Sequence, residues 1–265
     1  MKYTYHTHTA RCHHATGEDE EYVRAAIDAG IKVLGFSDHA PMPYPGGYVS
    51  YYKMTPDELY DYCASLLHLR DKYKNKIKIL IGLETEYYPD LWDASLDLWR
   101  DYPIDYLILG QHFIHEEGTD ASIRPTADKE KIKIYVDNVI AGMNTGLITY
   151  VAHPDLINYV GDDGEFYVSE MHRLINESIR LGMPLEYNLL GMADGRNYPN
   201  DIFWREAARL GASAVIGCDS HSPARVADRE ELKRAKAFLD GIGITVVDEV
   251  ELKKPKKYFK KLLTN

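Results

Sequence analysis

One pattern constrains this chain more than any other: short apolar runs, each closing on a polar residue able to bind a metal, alternate with helical segments. Ile77-Lys78-Ile79-Leu80-Ile81-Gly82-Leu83-Glu84 reads as a strand ending in an acid. Tyr106 to His112 and Ile148 to His153 read as strands ending in histidine, and Lys32 to Ser37 as a strand running into Asp38-His39. Pro184-Leu185-Glu186-Tyr187-Asn188 ends in an amide, and Ala214 to Asp219 in an acid with His221 just beyond. A last strand spans Gly243 to Val247. Helical segments are expected at about 17–29, 55–73, 128–146, 166–181, 199–210 and 228–241, with an acidic, aromatic helix around Trp92 and Trp99. Thr55 is expected to cap the second of them, with Pro56 at its first position. Apolar strands alternating with helices predict a parallel sheet with helices outside, whose function gathers at the carboxyl ends of the strands.

The densest polar cluster comes first. Tyr5-His6-Thr7-His8-Thr9-Ala10-Arg11-Cys12-His13-His14 follows a short β-prone run, and alternation along a strand points His6 and His8 from one face. Two neutral imidazoles side by side can grip one divalent ion. With them, His14, His39, Glu84, His112, His153, Asp219 and His221 form a set of strand-end ligands. Imidazoles with a few carboxylates suit zinc, iron or manganese, whereas magnesium and calcium prefer oxygen shells. So many ligands exceed one tetrahedral ion and suit two or three ions sharing a bridging carboxylate. His68, His115 and His172 fall mid-helix or past a strand end and are read as structural.

The net charge of −10 argues against broad electrostatic binding to nucleic acid, though bound cations would let the chain take an anionic substrate. The three cysteines, Cys12, Cys63 and Cys218, are widely spaced and form neither a disulfide framework nor a Cys-x-x-Cys knuckle. With no apolar run of membrane-spanning length and no signal-like core at the start, a cytoplasmic protein is expected. The absence of linkers and repeats predicts a single domain over residues 1–265. The basic run Lys253-Lys254-Pro255-Lys256-Lys257, with Lys260 and Lys261, reads as a solvated terminal face.

Taken in order, His6-x-His8 with His14, Ser37-Asp38-His39-Ala40, Gly82-Leu83-Glu84, Gly110-x-His112, Ala152-His153-Pro154-Asp155 and Asp219-Ser220-His221 resemble the successive motifs of the polymerase and histidinol phosphatase (PHP) superfamily. Gly217 to Pro223 and Cys12-His13-His14-Ala15 look most like its histidinol-phosphate phosphatase branch. The resemblance implies a distorted (β/α)7 TIM-like barrel with a trinuclear metal site at the C-terminal ends of its strands. By the same resemblance, His6, His8, Glu84 and Asp219 would hold a first ion. Glu84 would bridge to a second, completed by His112 and His153. His14, His39 and His221 would hold a third, and a one-residue shift would exchange His14 for His13.

The implied activity is hydrolysis of L-histidinol phosphate to L-histidinol and phosphate, a step of histidine biosynthesis. A hydroxide bridging two metal ions would attack phosphorus while the ions neutralise the phosphate oxygens. The leaving alkoxide needs a proton, for which Asp38 or a metal-bound water is the candidate. The branch usually carries Gly-Leu-Arg after the sixth strand, but this chain has Gly191-Met192-Ala193, so Arg196 and Arg225 are the candidates for the phosphate clamp. The alternatives are a PHP-type phosphoesterase acting on another phosphorylated metabolite or nucleotide, and a metal-binding accessory domain without catalysis. An amidohydrolase would also open on His-x-His, but would need a carbamylated lysine where Glu84 stands.

Overall fold

The structure, a computed structural model, describes residues 1–117 and 123–255. Eight parallel strands form one curled sheet in sequence order: β1 Tyr3–Thr4, β2 Val33–His39, β3 Lys78–Thr85, β4 Tyr106–Leu109, β5 Ile148–Val151, β6 Leu185–Asn188, β7 Ser213–Gly217 and β8 Thr245–Val246. Helices α1 Asp19–Asp28, α2 Glu58–Lys72, α3 Trp92–Trp99, α4 Lys129–Asn144, α5 Gly164–Leu181, α6 Leu189–Ala193, α7 Asp201–Leu210 and α8 Arg229–Ile242 link them. Where β1 ends, Thr7 forms a parallel bridge with Ser220, and His8 N donates to Ser220 O at 2.9 Å. That bridge joins the first strand to the seventh at their carboxyl ends and draws the sheet into a distorted barrel, with β8 added beside β7 at the opposite end. The strands from β2 to β7 are buried almost throughout, as near-continuous apolar runs in a parallel sheet require.

Tyr106 fills the barrel interior. Its hydroxyl lies 2.6 Å from Tyr5 O and 3.1 Å from Phe36 O, and its ring occupies the space that a Cβ at Gly35 or Gly82 would need. Two glycines in adjacent strands thus make room for one aromatic ring from a third. On the outside, side chains cap the helices: Asp128 accepts from Glu130 N and Lys131 N, Asn200 from Ile202 N and Phe203 N, and Asp228 from Glu231 N.

Several boundaries move from their expected places. Helix α2 begins at Glu58, because Pro56 and Asp57 form a turn; Thr55 meets Glu58 through hydrogen bonds of 2.8 Å from its N–H and its hydroxyl. β4, β5 and β7 stop before His112, His153 and Asp219. His153 and Asp219 have left-handed backbones, with φ of 29° and 49°. A non-glycine residue in that region breaks the ladder, which is why the strands end there and their side chains turn inward. Of the terminal basic run, Lys256, Lys257, Lys260 and Lys261 lie outside the described residues.

Gly82→Ala is expected to force the Tyr106 ring out of place and to destabilise the fold by about 1–3 kcal/mol, read as a lower urea midpoint at unchanged slope.

Candidate metal centre

Strand register sets the geometry at the carboxyl ends. His39 at the end of β2 is the direct neighbour of Glu84 in β3, and its Nδ1 lies 2.9 Å from Glu84 Oε2. A Cβ at Gly110 would overlap the Glu84 carboxylate, so the glycine after β4 leaves that carboxylate its place in the centre. His6 and His8, on either side of the bridging Thr7, bring their Nε2 atoms to 3.1 Å. Asp219 Oδ1 lies 3.0 Å from His8 Nε2 and 3.4 Å from His6 Nε2. His153 Nε2 is 2.9 Å and His112 Nε2 3.7 Å from Glu84 Oε1. At the rim, His14 Nε2 and His221 Nε2 stand 3.0 Å apart, and both rings pack near His39. All nine strand-end ligands expected from the sequence therefore meet in one cluster.

His13 does not. Its backbone is left-handed, with φ of 65°, and its ring faces Glu58 on the surface at 3.4 Å, while the next residue turns inward.

The cluster is graded in depth. His6, His8, His39, Glu84, His153 and Asp219 are buried, and His14, His112 and His221 reach the solvent side. Burial disfavours the Glu84 carboxylate, yet His6, His39 and His112 outweigh it and hold its pKa well below the usual range. The same balance, through His6, His8 and His221, keeps Asp219 ionised. Burial, followed by repulsion from His8, pushes His221 down to about 3, and burial likewise lowers His39. His6 and His8 go the other way: burial opposes their charge, but Glu186, Asp219 and Glu84 around His6, and Asp219 and Asp38 around His8, raise them. The buried carboxylates demand positive charge, which a divalent ion held among these rings would supply.

Two observations fit metal ions to this set. Among the described residues, Glu84 Oε2 and Asp219 Oδ1 are buried oxygens without a hydrogen-bond partner, although ring nitrogens surround both. Buried polar atoms are otherwise nearly always satisfied. The paired Nε2 atoms are also spaced as ligands of one ion: two nitrogens about 2.05 Å from a tetrahedral zinc sit about 3.3 Å apart.

Buried carboxylates stand behind these histidines. Glu186 Oε2 lies 2.8 Å from His6 Nδ1, and its Oε1 also accepts from Asn188 Nδ2 at 2.7 Å. Asp38 Oδ1 lies 3.2 Å from His8 Nδ1 and accepts from His39 N at 2.8 Å; its other oxygen takes the Thr9 N–H and hydroxyl. Such partners set the tautomer and aim of a ligating imidazole. Asp38 is therefore no proton donor at the mouth: it is fully buried behind His8, with both oxygens occupied.

Above the cluster opens a cleft of about 660 Å³, lined by Tyr52, Lys53, Phe113, Arg124, Arg196, Asn197 and Tyr198 with the outer histidines. Arg196 is half-exposed and donates to Tyr198 OH at 2.9 Å and Asp194 Oδ2 at 3.2 Å. Arg225 is not among the described lining residues; its guanidinium donates to Asp194, which is, at 3.3 Å. Glu186, Glu86 and Arg124 are not among the residues singled out from the sequence. The signal for Glu186 was an acid inside an apolar strand, two residues before Asn188 and on the same face. Arg124 carried no local signal.

A parallel barrel with clustered histidines and carboxylates at its carboxyl rim defines a metal-dependent hydrolase scaffold. The model of the PHP domain family matches residues 4–189, and the chain belongs to that family. A protein of Deinococcus radiodurans named "Probable histidinol-phosphatase" is 29% identical over 231 residues, covering 84% of this chain and 88% of its own length. A histidinol-phosphatase of Bacillus subtilis is 24% identical over 253 residues, covering 82% and 92%. The fold is shared with a crystal structure of histidinol phosphate phosphatase from Lactococcus lactis complexed with zinc, L-histidinol and phosphate. There the TM-score is 0.72 at 19% identity, covering 96% of this chain and 97% of the other.

Glu186→Gln is expected to weaken divalent-metal binding about 10–100-fold in a chelator-competition titration, by loosening His6. His13→Ala is expected to leave the same titration unchanged.

Proposed function

We propose that the chain is a metal-dependent phosphomonoesterase whose substrate is L-histidinol phosphate, hydrolysed to L-histidinol and phosphate. The observation that carries this reading is the nine-ligand cluster, with two buried carboxylate oxygens that have no hydrogen bond, beneath a cleft whose wall carries Arg124 and Arg196. The names of the curated relatives support the particular substrate.

His6, His8, Glu84 and Asp219 would hold one ion, Glu84 with His112 and His153 a second, and His14, His39 and His221 a third. Divalent zinc, iron or manganese bound there would supply a water of lowered pKa and neutralise charge on the phosphate oxygens. Glu84 meets both inner groups: its Oε1 lies 2.9 Å from His153 and 3.5 Å from His6, and its Oε2 lies 3.6 Å from His8. Arg196 reaches over the cleft with part of its guanidinium exposed, and its planar fork suits a phosphate dianion. Tyr198 backs Arg196 and packs beside His153, so it holds the clamp against the centre. Arg225, tied to Asp194 on the cleft wall, supports the 194–196 segment. The rim is open, so solvent can deliver the proton that the leaving alkoxide requires.

One sheet takes in all eight strands, which supports a single catalytic domain over residues 1–265. Among the described residues, no helix is long and apolar enough to cross a membrane. The thiols of Cys12, Cys63 and Cys218 are all buried, which suits a reducing cytoplasm.

Phosphate release from a panel of monoesters tests the reading. L-histidinol phosphate is expected to be the preferred substrate, with activity lost on chelation and restored by zinc or manganese. Activity confined to other monoesters would remove the substrate assignment, and no release from any monoester would remove the reaction. Glu84→Gln is expected to lose metal and activity together. Arg196→Ala is expected to raise KM about tenfold or more, the worth of a hydrogen bond to a charged group.

A further inference from the structure

Beside the ligand cluster the core holds a second compact set of buried ionisable groups, Lys53, Glu86 and Glu117, each no more than 4% exposed. They come from three separate segments: the loop between β2 and α2, the residue just after β3, and the segment following β4. Lys53 Nζ lies 3.1 Å from Glu86 Oε2 and 3.1 Å from Glu117 Oε2, above the Phe113 ring at 5.0 Å. Hydroxyl groups complete the shell. Ser50 donates to Glu117 at 2.7 Å and Tyr48 at 3.2 Å, while Tyr88 donates to Glu86 Oε2 at 2.6 Å. Three buried charges cost several kcal/mol each to desolvate, so this site is kept only by its mutual contacts.

The other oxygen of Glu86 faces His112 of the metal centre. Glu86 Oε1 accepts from His112 N at 2.8 Å and lies 3.2 Å from His112 Nδ1. His112 is held weakly from the other side, its Nε2 standing 3.7 Å from Glu84. The backbone N–H of His112 is therefore anchored on Glu86, whose carboxylate also borders the ring, and the aim of Glu86 is set by Lys53 and Tyr88.

We propose that Lys53 is a positioning residue for the metal centre: by clamping Glu86 it orients His112, and it ties closure of the tyrosine-rich loop that carries it to metal occupancy. This rests on the metal-centre reading above. The coupling runs both ways, because a group that helps the ion bind must itself be steadied when the ion is present. Filling the site would protect the 44–53 segment, whose Tyr48, Ser50 and Lys53 side chains all close onto Glu117.

The test compares the full-length wild-type protein with Lys53→Met and with the double variant Lys53→Met/Glu117→Gln. The single change leaves two buried carboxylates without a cation; the double change removes one charge of each sign and is expected to fold. Chelator competition and the visible absorption of the cobalt(II)-loaded protein report the centre, and amide hydrogen exchange over 44–53 with and without metal reports the loop. The double variant is expected to bind metal about 10–100-fold more weakly, to show an altered cobalt spectrum, and to lose the metal-dependent protection of the loop. Wild-type affinity and spectrum in a folded double variant would overturn the proposal. So would a raised KM at full metal content, which would make Lys53 a substrate contact. A wild-type protein that bound no divalent ion would instead remove the metal-centre reading itself.

Discussion

The carboxylate of Glu84 sits, almost inaccessible to solvent, among the rings of His6, His8, His39, His112 and His153. A buried carboxylate is tolerated only where positive charge and hydrogen bonds offset its lost hydration, and among the described residues one of its oxygens has no hydrogen-bond partner. The surrounding fold is arranged to meet that demand. Gly110 clears space for the carboxylate, and the register of β2 against β3 brings His39 beside it. The Thr7–Ser220 bridge closes the barrel so that His6 and His8 face Asp219. The same unmet charge that makes the site costly to the fold gives it its appetite for divalent cations.

Around this centre lies a ring of buried carboxylates, each addressed to one imidazole: Glu186 to His6, Asp38 to His8 and Glu86 to His112. Their burial removes competing water, so each contact works in a low dielectric and fixes a side chain that would otherwise rotate. Asp38 illustrates the division of labour. An acid next to a ligating histidine in sequence invites a reading as a proton donor, but its place behind His8 makes it an orienting group.

The outer wall of the cleft is built on different principles. Its lining combines aromatic rings, Tyr52, Phe113 and Tyr198, with guanidinium groups that remain partly hydrated. Arg196 is steadied by Tyr198 and Asp194, contacts that position a cation without neutralising it fully. A buried rigid floor beneath a hydrated, loop-borne rim separates the task of holding metal from that of admitting an anionic ligand.

The sequence by itself determined the strand–helix alternation, the parallel sheet and the nine strand-end residues that gather in one cluster, because apolar runs and the residues that end them are local signals. It also carried the family's motifs in order, which implied how those ligands divide among ions. Exact strand ends were not legible. The left-handed backbones at His153 and Asp219 are imposed by the packed centre, where each side chain must turn inward. Only the tertiary structure separated His14 from His13, since neighbours one residue apart differ in facing, not in chemistry. It alone paired Glu186 with His6 across 180 residues and Lys53 with Glu86 and Glu117. Such partners are chosen by proximity in the folded barrel, and no periodicity along the chain encodes which buried charge will meet which.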